Sequence, residues 1–325
     1  MHNAPPLVHN ASPLFVLGSF VVACSAKVAR LPQPGESLRA DALTIEAGGK
    51  GLNLALGARR LGAKVSGLLA IGNDHFSQFA ESALVRAGLP LAMLRYKEGT
   101  TGSGIGLTDA TGETCLAVYP GANLLLTSED VRAAGADVRS ASLVLAQFEI
   151  SDDPILAAFT LARAHNVRTL LNPSPFLPIV PDILKQTSIV VMNTVEALQL
   201  EGTLRSSPVS HSEENIYASL CWVAAALLDQ GVETVVITRG AQGSLAFSLN
   251  MSVIHQPAYP VHAIDTLGAG DAFAAALAVS LIEGCSLPDS LKHAAACGAI
   301  TVQSLGVFEA LPTRTALEAF LAAAL

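Results

Sequence analysis

From residue 143 onward the chain alternates short runs rich in Val, Ile and Leu with longer segments rich in Ala and Leu, and this alternation leaves few folds open. Strands are expected at Leu143–Gln147, Val167–Leu171, Ile189–Met192 and Thr234–Thr238. Helices are expected at Pro154–His165, Glu214–Asp229, Ala269–Glu283, Pro288–Ser304 and Thr313–Ala324. Strands that take turns with helices pair in parallel and need cover on both faces, so the pattern predicts an α/β fold with a mostly parallel central sheet and helices on both sides. The N-terminal half follows the same rule with two interruptions. Leu14–Val22 is a continuous apolar run suited to a buried strand, with Gly18-Ser19 where a sheet usually meets a crevice. Gly48-Gly49-Lys50-Gly51 opens a helix over Leu52–Leu61, Val65–Ile71 is a strand, and Asp74–Ala87 is a helix stopped by Gly88. The interruptions lie at about 28–47, with Pro32, Pro34 and Gly35, and at about 98–120, where Gly102–Thr108 and Glu113–Tyr119 flank the hairpin signal Asp109-Ala110-Thr111-Gly112. They predict a small β-sheet lid on a single domain spanning 14–325, behind a disordered N-terminus of residues 1–13.

Composition narrows the function. Apolar residues make up 51% and charged residues 14% of the chain, enough for a large core, and the net charge of −8 comes without a basic block. Nucleic-acid binding through a basic surface is therefore not expected. The longest apolar runs, Leu14–Cys24 and Ala272–Ile282, fall short of the roughly 20 residues a spanning helix needs, so no membrane is expected. Val21-Val22-Ala23-Cys24 resembles a lipoprotein cleavage box, but no Lys or Arg precedes it to form the basic head of a signal peptide. The five scattered cysteines form neither a metal spacing nor a disulfide framework, which points to a reducing cytoplasm.

Two glycine-rich segments carry chemistry. In Asp265-Thr266-Leu267-Gly268-Ala269-Gly270-Asp271 the glycines let the backbone approach a ligand, and the free amides of the following helix can receive anionic oxygens. Asp271 suits the start of a helix in any case; beside a phosphate cradle it is also placed to accept a proton from a hydroxyl. In Gly48-Gly49-Lys50-Gly51-Leu52-Asn53 a tight entry turn would explain the glycines alone, while Lys50 and Asn53 add groups suited to a polyol. This is no Walker loop, since Gly51 stands where Ser or Thr is required, and Gly102-Ser103-Gly104-Ile105-Gly106 opens no helix and is no dinucleotide fingerprint.

In order along nearly the whole chain, these segments resemble the two signatures of the ribokinase-like (PfkB) carbohydrate kinases, and the Gly-Gly-Lys-Gly-x-Asn form is most similar to ribokinase. Gly121-Ala122-Asn123, Glu149, Asn172-Pro173-Ser174-Pro175, Asn193-Thr194-Val195-Glu196 and Thr238-Arg239-Gly240-Ala241-Gln242-Gly243 match further family elements in register. The resemblance implies ATP-dependent phosphorylation of a sugar hydroxyl, with Asp271 as base and Gly268, Ala269 and Gly270 as the anion hole. It assigns the acceptor to Gly49, Lys50, Asn53, Glu149 and Asp271, and ATP to Asn193, Thr238, Gly240, Gly243, Gly268 and Gly270. Glu196 would act on Mg²⁺ through water, and Asp265, Leu267, Ser304 and Gly306 would bind an activating K⁺. An exposed lid face implies a homodimer.

The pattern breaks just after Gly18-Ser19. Ribokinases carry there an Asn and an Asp that grip sugar hydroxyls; this chain has Val21 and Ala23. Either the substrate presents fewer hydroxyls or a more apolar group at that end, or Ser25, Lys27 or a lid side chain supplies the contacts. Ribose is accordingly not expected to be the preferred acceptor. A nucleoside kinase of the same fold, and a sugar or nucleotide sensor with weak activity, remain the alternatives. His75, His165, His262 and His293 are dispersed, and Trp222 lies in an apolar helix and is expected in the core.

Overall fold

The computed structural model describes residues 13–110, 114–205, 213–249 and 251–324. The expected disordered segment lies almost entirely outside these residues, as does the tip of the 109–112 hairpin. Among the described residues, thirteen strands form two sheets. The large sheet contains β1 (Pro13–Gly18), β4 (Lys64–Ile71), β5 (Leu94–Tyr96), β8 (Leu143–Gln147), β9 (Arg168–Asn172), β10 (Ile189–Asn193), β11 (Thr234–Thr238), β12 (Ser244–Ser248) and β13 (Ile254–Gln256). The small one contains β2 (Val21–Lys27), β3 (Ala42–Gly48), β6 (Gly102–Thr108) and β7 (Thr114–Tyr119).

The large sheet has the order β13-β12-β11-β10-β9-β8-β1-β4-β5. Every pairing from β11 through to β5 is parallel, and only β11–β12 and β12–β13 are antiparallel. Alternation along β1 shows why both faces are covered. Leu14 and Val16 join the core beneath the helices Lys50–Arg60 and Ala269–Ile282, while Phe15 and Leu17 join the core beneath the helix Asp152–Ala164. The helix Ala269–Ile282 is apolar on all sides and buried at every residue from Asp271 to Ser280, the signature of a helix with packed neighbours all round. Small residues let those neighbours close in: a Cβ at Gly57 would lie 3.0 Å from the Ala275 methyl.

The small sheet has the order β3-β2-β6-β7. Its first strand departs from the expectation. The apolar run from Leu14 does not continue as one strand to Val22; it breaks at Ser19-Phe20, and Val21–Lys27 crosses into the lid, where β3 and β6 pair with it along its whole length. The lid's first contribution therefore begins before residue 28, and 28–41 carries no strand. Pro32 and Pro34 lack the amides a ladder needs. Val22 explains why the sequence looks like core, since it is fully buried at the root of the lid.

A single side chain fixes the crossing point. Phe20 donates its amide to Asn123 Oδ1 at 2.9 Å and accepts at its carbonyl from Asn123 Nδ2 at 2.8 Å, and Asn123 is fully buried. The amide side chain thus substitutes for a strand partner where the chain passes between sheets. Replacing Asn123 with Ala strands two buried backbone groups and is expected to destabilise the protein by about 2–4 kcal/mol in denaturant titration.

Candidate functional site

The two glycine turns meet at the carboxyl end of the large sheet, and their helices begin differently. At the helix Lys50–Arg60 the first amides are already occupied. Lys50 N–H donates to Glu149 Oε2 at 3.0 Å, Gly51 N–H to Ser19 Oγ at 3.3 Å, and Leu52 N–H to the Ser19 carbonyl at 3.0 Å. A carboxylate at this end also complements the helix dipole. The approach demands glycine, because a Cβ at Gly51 would lie 2.6 Å from the Ser19 carbonyl oxygen. The helix Ala269–Ile282 has no side-chain cap, and its N-cap Gly268 holds φ of 77°, a left-handed conformation with Val307 packed on the side where a Cβ would stand. The position of a Cβ on Gly270 is open, with no atom within 4 Å. Of the two helix starts, the second keeps more of its amides for an anionic ligand, with Ala269 N–H making a long 3.4 Å turn contact to the Thr266 carbonyl oxygen.

Asp271 joins them. The residue is 5% exposed, its Oδ2 accepts from Asn53 Nδ2 at 2.8 Å, and Lys50 Nζ stands 3.6 Å from Oδ1. Asn53 Oδ1 is buried without a hydrogen-bond partner, an acceptor left for a hydroxyl. Burial works to lower the Lys50 ammonium, but the carboxylates of Asp271, Glu149 and Glu196 outweigh it, and the net shift is upward. Lys50 therefore stays charged at neutral pH, with three acids drawn from separate parts of the chain around it.

The other expected site residues fall in three places. Glu149 caps the first helix, and it accepts from the Ser19 hydroxyl while its own amide donates to Gln147 Oε1. Asn193 and Glu196 form a reciprocal capping box, Asn193 N–H to Glu196 Oε2 at 2.8 Å and Glu196 N–H to Asn193 Oδ1 at 2.9 Å, so part of each side chain is already used. Asn193 pairs with Thr238 across β10 and β11, and Gly240 and Gly243 bracket the turn that follows. Asp265 Oδ1 accepts from the Leu267 amide at 2.9 Å and Oδ2 from the Gly306 amide at 3.1 Å, which ties the approach to the anion turn to the late loop; Ser304 lies in that loop without a bond to Asp265. No group of three or more His, Cys, Asp or Glu is arranged to hold a metal ion among the described residues.

Sequence reasoning passed over Gln147, and it placed Ser19 at a crevice without its partners; together they join β8, β1 and the first helix. Gln147 Nε2 donates to Ser19 Oγ at 3.0 Å, and both residues are fully buried. The available signal was a lone amide ending the run Leu143-Val144-Leu145-Ala146-Gln147.

A parallel sheet with a β lid, and a buried carboxylate beside an uncapped helix start at the sheet's carboxyl end, define a phosphotransferase of the ribokinase fold that uses an alcohol group as acceptor. The chain belongs to the pfkB family of carbohydrate kinases, whose family model matches residues 12–314. It is 33% identical over 307 residues to a ribokinase of Mus musculus, covering 93% of this chain and 92% of that one, and 33% identical over 300 residues to a ribokinase of Staphylococcus aureus, covering 91% and 95%. Among solved structures it is similar to ribokinase of Thermotoga maritima (TM-score 0.86, 27% identity, 96% of this chain and 99% of that one). The ribokinase of Arabidopsis thaliana complexed with ribose and ATP is comparable (TM-score 0.85, 28% identity, 96% and 99%).

Glu46 on β3 is an electrostatic liability beside this site. Burial, then the charges of Asp265 and Glu309, push its carboxyl above the usual range. A raised folded-state value means the fold favours the protonated form, so the cost is present at neutral pH and vanishes as pH falls through the ordinary carboxylate range near about 4.3. Glu46→Gln is expected to raise Tm at pH 7 and to leave it unchanged near pH 4, as read by calorimetry.

Proposed function

We propose that the protein transfers the γ-phosphoryl group of ATP to a hydroxyl of a sugar or sugar-like acceptor, with Asp271 as the base. The observation that carries this reading is the buried Asp271 carboxylate, which sits at the start of a helix without a side-chain cap and is flanked on its other side by Asn53 and Lys50. The acceptor lies between Gly49, Lys50, Asn53 and Glu149, and Asn53 Oδ1 takes a hydroxyl proton as a hydrogen-bond acceptor. Asp271 removes the proton of the reacting hydroxyl as its oxygen bonds to phosphorus and the bond to the departing ADP oxygen breaks. The amides of Gly268, Ala269 and Gly270 face the transferred oxygens, so charge developing there meets fixed donors. Asn193, Thr238, Gly240 and Gly243 line the nucleotide's side of the sheet edge.

Glu196 would hold Mg²⁺ through water, and the ion supplies neutralisation of phosphate charge. A monovalent cation would sit in the loop of Asp265, Leu267, Ser304 and Gly306, which Asp265 draws together by accepting from the Leu267 and Gly306 amides. Turnover is then expected to rise when K⁺ replaces a bulky organic cation at constant ionic strength. Leu43, Ile45 and Ile105 share the lid's outer face at 64%, 47% and 63% exposure, which supports a homodimer closed through the lid. No helix among the described residues is long and apolar enough to cross a membrane. The scattered free cysteines support a reducing, cytoplasmic location.

Asp271→Asn preserves the shape of the site while removing the base. It is expected to lower kcat by roughly 10²–10⁴ with ATP binding retained. Unchanged turnover would take Asp271 out of this role.

A further inference from the structure

Gln147 closes the apolar strand Leu143-Val144-Leu145-Ala146-Gln147 and is fully buried. A side-chain amide in such a place needs partners at both of its ends. It has them. Its Oε1 accepts from the Glu149 amide two residues on, and its Nε2 donates to Ser19 Oγ at 3.0 Å. The Ser19 hydroxyl donates to Glu149 Oε2, while its oxygen also accepts from the Gly51 amide at 3.3 Å. Glu149 Oε2 accepts in turn from the Lys50 amide at 3.0 Å. The bonds close a ring in which Gln147 holds Glu149 twice, by its backbone directly and by its carboxylate through Ser19.

The direction of every bond in the ring is forced. A carboxylate only accepts, so the single Ser19 hydrogen is committed to Glu149. Ser19 Oγ can then only accept, and the group that meets it from β8 must donate. The Glu149 amide only donates, so the group that meets it must accept. A side-chain amide in one orientation satisfies both demands; turned over, it would set acceptor against acceptor and donor against donor. An ionised glutamate of the same shape has no hydrogen to offer and would draw the Ser19 hydrogen away from Glu149. Space is equally closed, since a Cβ on Gly18 would lie 3.0 Å from Gln147 Nε2 and 2.6 Å from Gly51 Cα.

What the ring fixes is the aim of a carboxylate. With Oε2 of Glu149 held by the Ser19 hydroxyl and the Lys50 amide, Oε1 is the oxygen left for a hydroxyl of the acceptor. We propose that Gln147 is a positioning residue for the acceptor: it commits the Ser19 hydrogen to one oxygen of Glu149 and so turns the other toward the substrate. It acts only through Ser19 and Glu149 and takes no part in phosphoryl transfer. This rests on the kinase reading above and adds the buried residue that sets how tightly the acceptor is held.

The test uses Gln147→Met and Gln147→Glu, with ATP and whichever of ribose, 2-deoxyribose and fructose the wild-type protein turns over fastest. Gln147→Met keeps the length of the side chain and removes both bonds. It is expected to raise the acceptor KM roughly tenfold, with kcat and the KM for ATP within about twofold of wild type. Gln147→Glu is expected to show the same loss at about pH 8 and to recover toward the wild-type value measured at each pH as pH falls to about 6, because a protonated carboxyl again donates to Ser19 and accepts from the Glu149 amide. A fall in kcat with the acceptor KM unmoved, or a Gln147→Glu loss that ignores pH, would mark a merely structural role and overturn the proposal. Ser19→Ala, which breaks the relay and leaves Gln147 in place, serves if neither variant folds: the same rise in acceptor KM is expected, and its absence counts against the proposal. If none of the sugars consumes ATP, the kinase reading fails separately, and amide hydrogen exchange on the unliganded protein decides the positioning alone. In Gln147→Met the Lys50 and Gly51 amides, bonded to Glu149 and to Ser19 Oγ, are expected to exchange roughly tenfold faster, while Leu52, bonded to the Ser19 carbonyl, keeps its wild-type rate. Equal acceleration at all three amides, or none at any, refutes it.

Discussion

The contact between Asn53 and Asp271, 218 residues apart in sequence, is the joint on which the site turns. Each residue sits in the first turn of its own helix, and each helix starts from a glycine with positive φ, so the contact fixes two otherwise independent turns against each other. The body supplies the rigidity. The two helices are neighbours across the Gly57–Ala275 approach, both pack into the core on one face of the sheet, and the second has no exposed face along which to slide. A buried carboxylate is tolerated there because an amide donates to it and an ammonium stands close by.

Charge is distributed with the same economy. Lys50 is the cation among Asp271, Glu149 and Glu196, and each of these acids also helps to start a helix. Glu149 caps the first one, Glu196 closes a capping box, and Asp271 complements its own helix dipole. The groups that would meet sugar, phosphate and metal are therefore held by the same bonds that begin the helices. Glu46 has no such compensation, and its upward shift marks the place where the lid's edge strand faces the loop behind the anion turn.

What the sequence disclosed follows from contiguity. Gly268–Asp271 and Gly48–Asn53 each concentrate a turn, a helix start and a chemical group within a few residues, so they were legible without any tertiary knowledge. The rhythm of β8 to β11 was equally plain, and the strand Thr234–Thr238 falls where its β-branched run placed it. Gln147 was not legible as a site support, and the motifs containing Ser19 and Asn123 did not disclose what those side chains hold, because the Gln147–Ser19 and Asn123–Phe20 bonds each span more than a hundred residues. The lid's first strand was hidden for a different reason. Val21–Ala26 is nearly as apolar as a core strand, with Val22 buried at the lid root and Ala23 half-buried on the opposite face, and composition does not distinguish those environments. At the antiparallel edge, β12 is bounded by serines and has no β-branched run, and β13 has three residues, one of them His.

The packed helix Ala269–Ile282 has a consequence for how such an enzyme can diversify. Every residue from Asp271 to Ser280 is buried among neighbours, so an exchange there presses on the helix that carries Asp271. The distal lid shares little of that core, and exchanges at Ala23, Gly104 or Leu116 touch few other residues. On the proposed roles, reactivity and selectivity would reside in parts with very different tolerance to mutation, and a lineage could change its acceptor while the machinery of transfer stayed as it was.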